Sequence, residues 1–226
     1  MTRAFDRMAE AYDRWYETPE GRALFDAELN CLRSLRGQGR GRWLEVGVGT
    51  GRFARSLGIA EGIDPAPRML EIAASRGIRV HEGSAERLPF AAGSFDGVLM
   101  ALTLCFVANA ARALRECRRV LRPEGRLLLG TLPADGRWGR EYVEKGSRGH
   151  SVWALGHLRT AAEIVELCQH AGFALIDAAS TLFWSPGEEP QPRVEKGVVS
   201  NAGFLGFLFE RSASQSSSGR GLEGDG

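Results

Sequence analysis

The stretch LEVGVGTGRFA, residues 44–54, sets glycines at 47, 49 and 51 directly behind a short apolar run, with the acid Glu45 before them and no lysine after them. The segments around it keep one rhythm. RWLEVGV, GRFARSLG, AEGID, PRMLEIAASRG, IRVHEG, FDGVLMAL, NAARALRECRRVL and GRLLLGTL alternate apolar runs with amphipathic ones. Strand, helix, strand in that order predicts a parallel sheet with helices on both faces. In an open parallel sheet, ligands sit outside the carboxyl ends of the strands where the strand order reverses, and the first strand-to-helix turn is the usual contact. Gly47, Gly49 and Gly51 are placed to be that turn.

Spacing separates the adenosine-type ligands that compete for such a turn. A Walker loop needs Gly-Lys-Ser/Thr to hold phosphates and magnesium, whereas Gly51 is followed by Arg52 and Phe53. A dinucleotide fingerprint needs G-x-G-x-x-G, and Arg52 stands where its third glycine should be. What remains is G-x-G-x-G after an acid-bearing strand, with a second acid, Asp64, closing the next strand in EGIDPAP.

The flanks add helices and two more strands. Phe5, Met8, Tyr12 and Trp15 or Tyr16 fall at helical spacing, and a second helix follows a turn at Thr18 and Pro19. Residues 136–158 read as irregular or helical. TAAEIVELCQHAG opens at Thr160 as N-cap, with Glu163 three residues on, and stops at Gly172. FALIDAAST and NAGFLGFLFER read as closing strands around a Pro- and Glu-rich loop at 185–193. With 226 residues, this predicts one domain over 1–211. It divides into a helical cap (1–40), a ligand-binding core (41–135), a substrate-side insertion (136–160) and a closing helix with strands (161–211). Residues 212–226, SASQSSSGRGLEGDG, read as a disordered tail.

Composition excludes several classes. Twenty-nine basic residues against 28 acidic ones leave a net charge of +1, which gives no pull towards nucleic acid or an anionic membrane. No stretch approaches the ~20 apolar residues of a membrane helix, and no apolar signal segment opens the chain, so a soluble, cytoplasmic protein is expected. Cys31, Cys105, Cys117 and Cys168 lie far apart without a C-x-x-C pair and read as reduced core thiols. No cluster of acids and asparagine suits a metal. Oligomeric state is not legible.

Four blocks in register resemble the class I S-adenosylmethionine-dependent methyltransferases, specifically their type 11 group, which includes the quinone-biosynthesis enzymes. LEVGVGTG resembles the first motif, GIDPAPRMLEIA the second, GSAERLPFAAGSFDGVLMA the adenine-side loop and fourth strand, and ALRECRRVLRPEGRLLLGT the following helix and strand. The resemblance implies a Rossmann-like, doubly wound, mostly parallel seven-stranded α/β sheet with the last strand antiparallel. It implies S-adenosylmethionine as cofactor. That molecule carries a sulfonium, an amino-acid head and a ribose but no phosphate, so a lysine-bearing loop is unnecessary, and carboxylates suit its ammonium and hydroxyls. By resemblance Glu45 is the acid of the first motif, Asp64 takes the ribose hydroxyls, Met69 packs beside the adenine, and Ala85 with Glu86 lines its rim. Ala101, ending the fourth strand, joins the set.

Three residues depart from the family pattern. Ser84 stands where relatives often carry Asp, and Phe106 and Asn109 stand where many show His followed by Asp. A histidine base in that loop is therefore not expected. The segments 103–107 and 138–142 look like a subgroup of small prokaryotic methyltransferases. ALTLCF replaces the Asn- or Asp-Pro-Pro-aromatic segment of enzymes that methylate base amino groups, which argues against nucleic acid. Tyr12 and Tyr16 are expected to close over the methionine end, and Trp138, Tyr142 and Trp153 to face the acceptor of a small-molecule substrate. His150 is the candidate base. Oxygen, nitrogen, carbon and sulfur acceptors stay open, as do a protein or quinone-like precursor and a module that binds the cofactor without turnover.

Overall fold

A computed structural model describes residues 2–37, 41–150 and 152–212. The first segment forms two helices, α1 (Thr2–Trp15) and α2 (Pro19–Arg36). Thr18 sets their boundary: its hydroxyl accepts the Gly21 amide at 3.1 Å, and Pro19 opens α2 where an amide would lack a helical partner anyway. Strands β1 (Trp43–Val46), β2 (Glu61–Asp64), β3 (Arg79–Glu82), β4 (Phe95–Ala101) and β5 (Leu121–Thr131) then alternate with helices α3 (Arg52–Leu57), α4 (Pro67–Ser75) and α5 (Ala110–Val120). After β5 come α6 (Arg137–Ser147), α7 (Ala161–His170), β6 (Phe173–Thr181), β7 (Glu195–Lys196) and β8 (Phe204–Arg211). The capping box expected at Thr160 and Glu163 is formed.

The strands lie in the order β3-β2-β1-β4-β5-β8-β6-β7. The first five pair in parallel, and β8 runs antiparallel between β5 and β6. This is the Rossmann-like architecture expected, with eight strands in place of seven. The extra one, β7, pairs two residues with Ala179 and Ser180, and a two-residue pairing offers no alternation to read in a sequence.

Alternate residues of the central strands serve opposite cores, as a strand's period of two requires. Val98, Met100, Leu127, Leu129, Phe207 and Phe209 pack under α5 and α7. Leu99, Leu128 and Leu208 pack under α2 and α3. All four cysteines are free and buried. Among the described residues no helix is long and apolar enough to cross a membrane. The carboxyl-terminal segment read as a tail lies outside the described residues from 213 onward, while the Ser212 amide still donates to the Gly172 carbonyl at 3.0 Å.

Strand order reverses between β1 and β4, so the crevice opens where the loops after those two strands meet. Helix α1 is fastened over that crevice. Arg52 donates to the Asp13 carboxylate (2.9 Å), the Asp13 carbonyl (2.8 Å) and Glu17 (2.6 Å). Arg76 grips Asp13 from the other side and also donates to the Thr50 carbonyl. Asp6 accepts the Arg68 amide in the first turn of α4, which joins cap to core a second time.

Candidate functional site

The three glycines of the turn have different reasons to be glycine. All have positive φ (+75°, +51° and +78°), which a side chain disfavours. At Gly47 a Cβ would also stand 2.2 Å from Thr103 Cγ2, so this glycine lets the loops after β1 and β4 touch. At Gly51 it would press Ala73 at 3.1 Å, so this one lets α3 approach α4. At Gly49 nothing lies within 4 Å, because its bare backbone faces a cavity of about 380 Å³.

Asp64 is the acid at the turn. Its carboxylate accepts the Gly49 amide at 3.0 Å and the Ala66 amide at 2.9 Å, so the turn and the end of β2 hold one another. Burial pushes its carboxyl up, and the two amides pull it back part of the way. Glu45 sits one strand over. Leu44 and Val46 face the core under α5, so Glu45 between them faces the first turn of α3, where the Ala54 amide reaches it. Its second oxygen, Oε2, is buried with no hydrogen-bond partner among the described residues. Burial holds this carboxyl well above its usual range, and the charge of Asp64 adds to the effect.

The cavity gathers most of the predicted residues and leaves out four. Tyr12, Tyr16, Gly47, Gly49, Asp64, Met69, Ser84, Ala85, Glu86, Ala101, Tyr142 and Trp153 line it. Met69 also packs with Ala9 and Ala66 beneath the cap. Gly51 and Glu45 lie behind the turn. Trp138 is fully buried elsewhere: its indole donates to the Trp184 carbonyl at 2.7 Å, and Gly203 leaves room for its ring. It shares a face of α6 with Tyr142, yet only Tyr142, one turn later, reaches the cavity, where it stacks on Trp153 at 3.9 Å. His150 is exposed and outside the cavity. Its Nδ1 accepts the Val152 amide at 3.3 Å, which uses the ring to shape the turn before Trp153.

The departing residues have visible work. Asn109 is the N-cap of α5, accepting the Arg112 amide at 2.9 Å. Phe106 lines the cavity and meets Phe5 edge-on at 5.0 Å. Glu86 is engaged as well, accepting the Asn109 amide at 3.2 Å.

Several lining residues are absent from the predicted set. Phe5 and Trp15 come from α1, Leu24 and Glu28 from α2, and Leu102, Thr103, Phe106 and Val107 from the loop after β4. Leu102 holds φ at +54°, a strained conformation for a branched side chain at a loop beside the cavity. Glu28 is 5% exposed, and burial alone pushes its carboxyl up to about 8. Its signal was present: Leu24, Glu28, Cys31 and Leu35 form one stripe at helical spacing, and a carboxylate in an apolar stripe has to be explained. Tyr12 and Tyr16 hydrogen-bond to each other at 2.9 Å, and burial raises both phenols, Tyr12 to about 12.

Comparisons with known proteins agree with this geometry. A family model for a methyltransferase domain, type 11, matches residues 44–129. An uncharacterised protein of Mycobacterium tuberculosis is 39% identical over 204 residues, 89% of this chain and 72% of that protein. A demethylmenaquinone methyltransferase of Thermotoga maritima is 33% identical over 136 residues, 56% of this chain and 59% of that enzyme. A crystal structure from the same organism, described as a SAM-dependent methyltransferase and "possible histamine N-methyltransferase", is 34% identical with a TM-score of 0.86, covering 94% of this chain and 100% of that one. With the glycine turn at the switch point and Asp64 beside it, the chain belongs to the class I S-adenosylmethionine-dependent methyltransferases, in their type 11 group.

Proposed function

We propose that this protein transfers the methyl group of S-adenosylmethionine to a small-molecule acceptor held in the cavity under α1. The observation that carries the reading is the pairing of a bare Gly49 backbone with the Asp64 carboxylate on one cavity wall. The residues fit the cofactor. Asp64 suits a pair of ribose hydroxyls, and Ala85 with Met69 offers an apolar slot for a flat base. Gly49, with nothing within 4 Å of where a Cβ would stand, leaves the methionine end room against the turn. Bound there, S-adenosylmethionine supplies a methyl group on a positively charged sulfur.

The rest is positioning. Displacement at a methyl carbon needs donor and acceptor in line and water kept out, and no covalent enzyme intermediate. Phe5, Tyr12, Trp15 and Tyr16 roof the cavity, and Arg52 with Arg76 holds that roof down. Tyr142, Trp153 and Phe106 form an aromatic wall on which an acceptor can lie flat. Two of the similar proteins carry names pointing to different acceptors, an amine and a quinone precursor, and both have flat bodies that suit such a wall.

Calorimetric titration with S-adenosylmethionine and S-adenosylhomocysteine, beside Asp64→Asn, tests the reading. Micromolar-range binding that weakens at least tenfold in the variant supports it. Absence of heat with both ligands refutes it.

A further inference from the structure

One carboxylate in the cavity is unaccounted for. Among the described residues the charged ones lining it are Glu28, Asp64 and Glu86, with no Lys, Arg or His. Asp64 is held by two backbone amides and Glu86 by one. Glu28 has no hydrogen bond or ion pair among the described residues, yet it is 95% shielded from solvent and opens onto the cavity. An unpaired buried carboxyl is costly, and a chain keeps one where a ligand completes it.

What surrounds Glu28 narrows the ligand. The groups facing it are Tyr12 and Tyr16 from α1, Tyr142 from α6 and Cys31 on its own helix, all with raised values and so uncharged at neutral pH. A single potential anion inside aromatic faces attracts a cation twice over, by charge and by ring quadrupole. A carboxylate or phosphate finds no cationic partner among the described lining residues.

We propose that Glu28 is the acceptor-side residue of this site and that the acceptor presents a protonated amine to it. The assignment rests on the methyltransferase reading above. Paired with the ammonium, the Glu28 carboxylate accepts one N–H proton: the N–H bond breaks, an O–H bond forms, and the nitrogen regains the lone pair that methylation requires. Burial raises the proton affinity of this carboxyl towards that of an amine, which eases the transfer.

The test uses the full chain and Glu28→Gln, each first titrated with S-adenosylhomocysteine. Nine probes follow: phenyl, indole and cyclohexyl bodies, each on a two-carbon arm ending in an ammonium, a hydroxyl or a carboxylate. The ammonium probes should bind at least tenfold more tightly than their matched alcohols and carboxylates. At pH 7 most Glu28 and most amine carry a proton before binding, and the pair shares one afterwards. Heats in buffers of different ionisation enthalpy should therefore report release of close to one proton per amine bound. Glu28→Gln should abolish both the preference and the release while S-adenosylhomocysteine binding stays within twofold. Alcohols or carboxylates that bind as tightly, amine binding without proton release, or no amine binding beside intact S-adenosylhomocysteine binding would each overturn the assignment alone. Failure of S-adenosylhomocysteine itself to bind would bring down the methyltransferase reading and this assignment with it.

Discussion

Arg52 Nε meets Asp13 Oδ1 at 2.9 Å, and the position Arg52 occupies is the one a dinucleotide-binding turn would give to its third glycine. The residue that rules out one ligand class is thus the bolt that fastens the cap over the cavity. Partial burial opposes the charge of Asp13, but Arg76 and Arg52 outweigh it and hold the carboxyl below its usual range. A depressed carboxyl stabilises the fold above its unfolded value, about 3.9, and loses that contribution as pH falls through its folded value. Arg52→Ala should weaken S-adenosylhomocysteine binding about tenfold, ~1.4 kcal/mol, and expose residues 2–18 to proteolysis. The affinity gap between wild type and variant should begin to narrow only below about pH 3.9, as pH falls towards the depressed value of Asp13, which calorimetry down to pH 3 would follow.

The glycines of the turn should separate in a substitution series. Gly47→Ala meets both a positive φ and the Thr103 side chain, so it should lower the melting temperature most. Gly49→Ala meets only the backbone penalty, about 1–2 kcal/mol, but sets a methyl group in the cavity. It should keep its fold and lose cofactor affinity. Gly51→Ala should do the reverse, losing stability against Ala73 with a smaller effect on affinity. Melting curves read beside calorimetry check all three, and equal effects at 47 and 49 would contradict the division.

Glu28 makes a pH prediction of opposite sign to Asp13. Its folded value is raised to about 8, so between about 4.3 and 8 the folded chain keeps a proton that the unfolded chain has lost. Stability contributed at this position falls as pH rises through that window. Glu28→Gln removes the dependence. The melting temperature of the variant minus that of the wild type should be smallest at pH 4 and grow steadily to pH 8. Scanning calorimetry at unit steps would show it, and a flat difference would contradict the burial of an unpaired carboxyl.

The two tryptophans of the substrate-side segment should behave differently. Trp138→Ala deletes a buried ring and leaves the Trp184 carbonyl unpaired, a loss of about 3–5 kcal/mol. Trp153→Ala removes one face of an aromatic stack at the cavity and should act on acceptor affinity more than on stability. His150→Ala should leave turnover across pH unchanged, since its ring faces solvent and a local turn. Any flattening of the pH profile in that variant would return His150 to the site.

The sheet, its order of reversal and the cavity wall of Gly49 and Asp64 are legible because they rest on local signals. Gly47, Gly49, Asp64 and the strand-helix rhythm lie within one contiguous stretch of chain. The acceptor side is less so, because it is assembled from α1, α2, α6 and the loop after β4, brought together by packing. Tyr142 and Trp138 share one helical face, yet Trp138 packs into the corner that Gly203 leaves open while Tyr142 lines the cavity. Glu28 is hard to read in the sequence for another reason. A glutamate on an amphipathic helix reads as solvated until the stripe containing it is counted, and here that stripe faces inward.

The cavity under α1 ties the abundance of this protein to metabolism. Any molecule that binds there only in the folded state raises that state's population by mass action. Cells rich in such a ligand would accumulate the folded protein, and starved cells would hand more of it to their proteases.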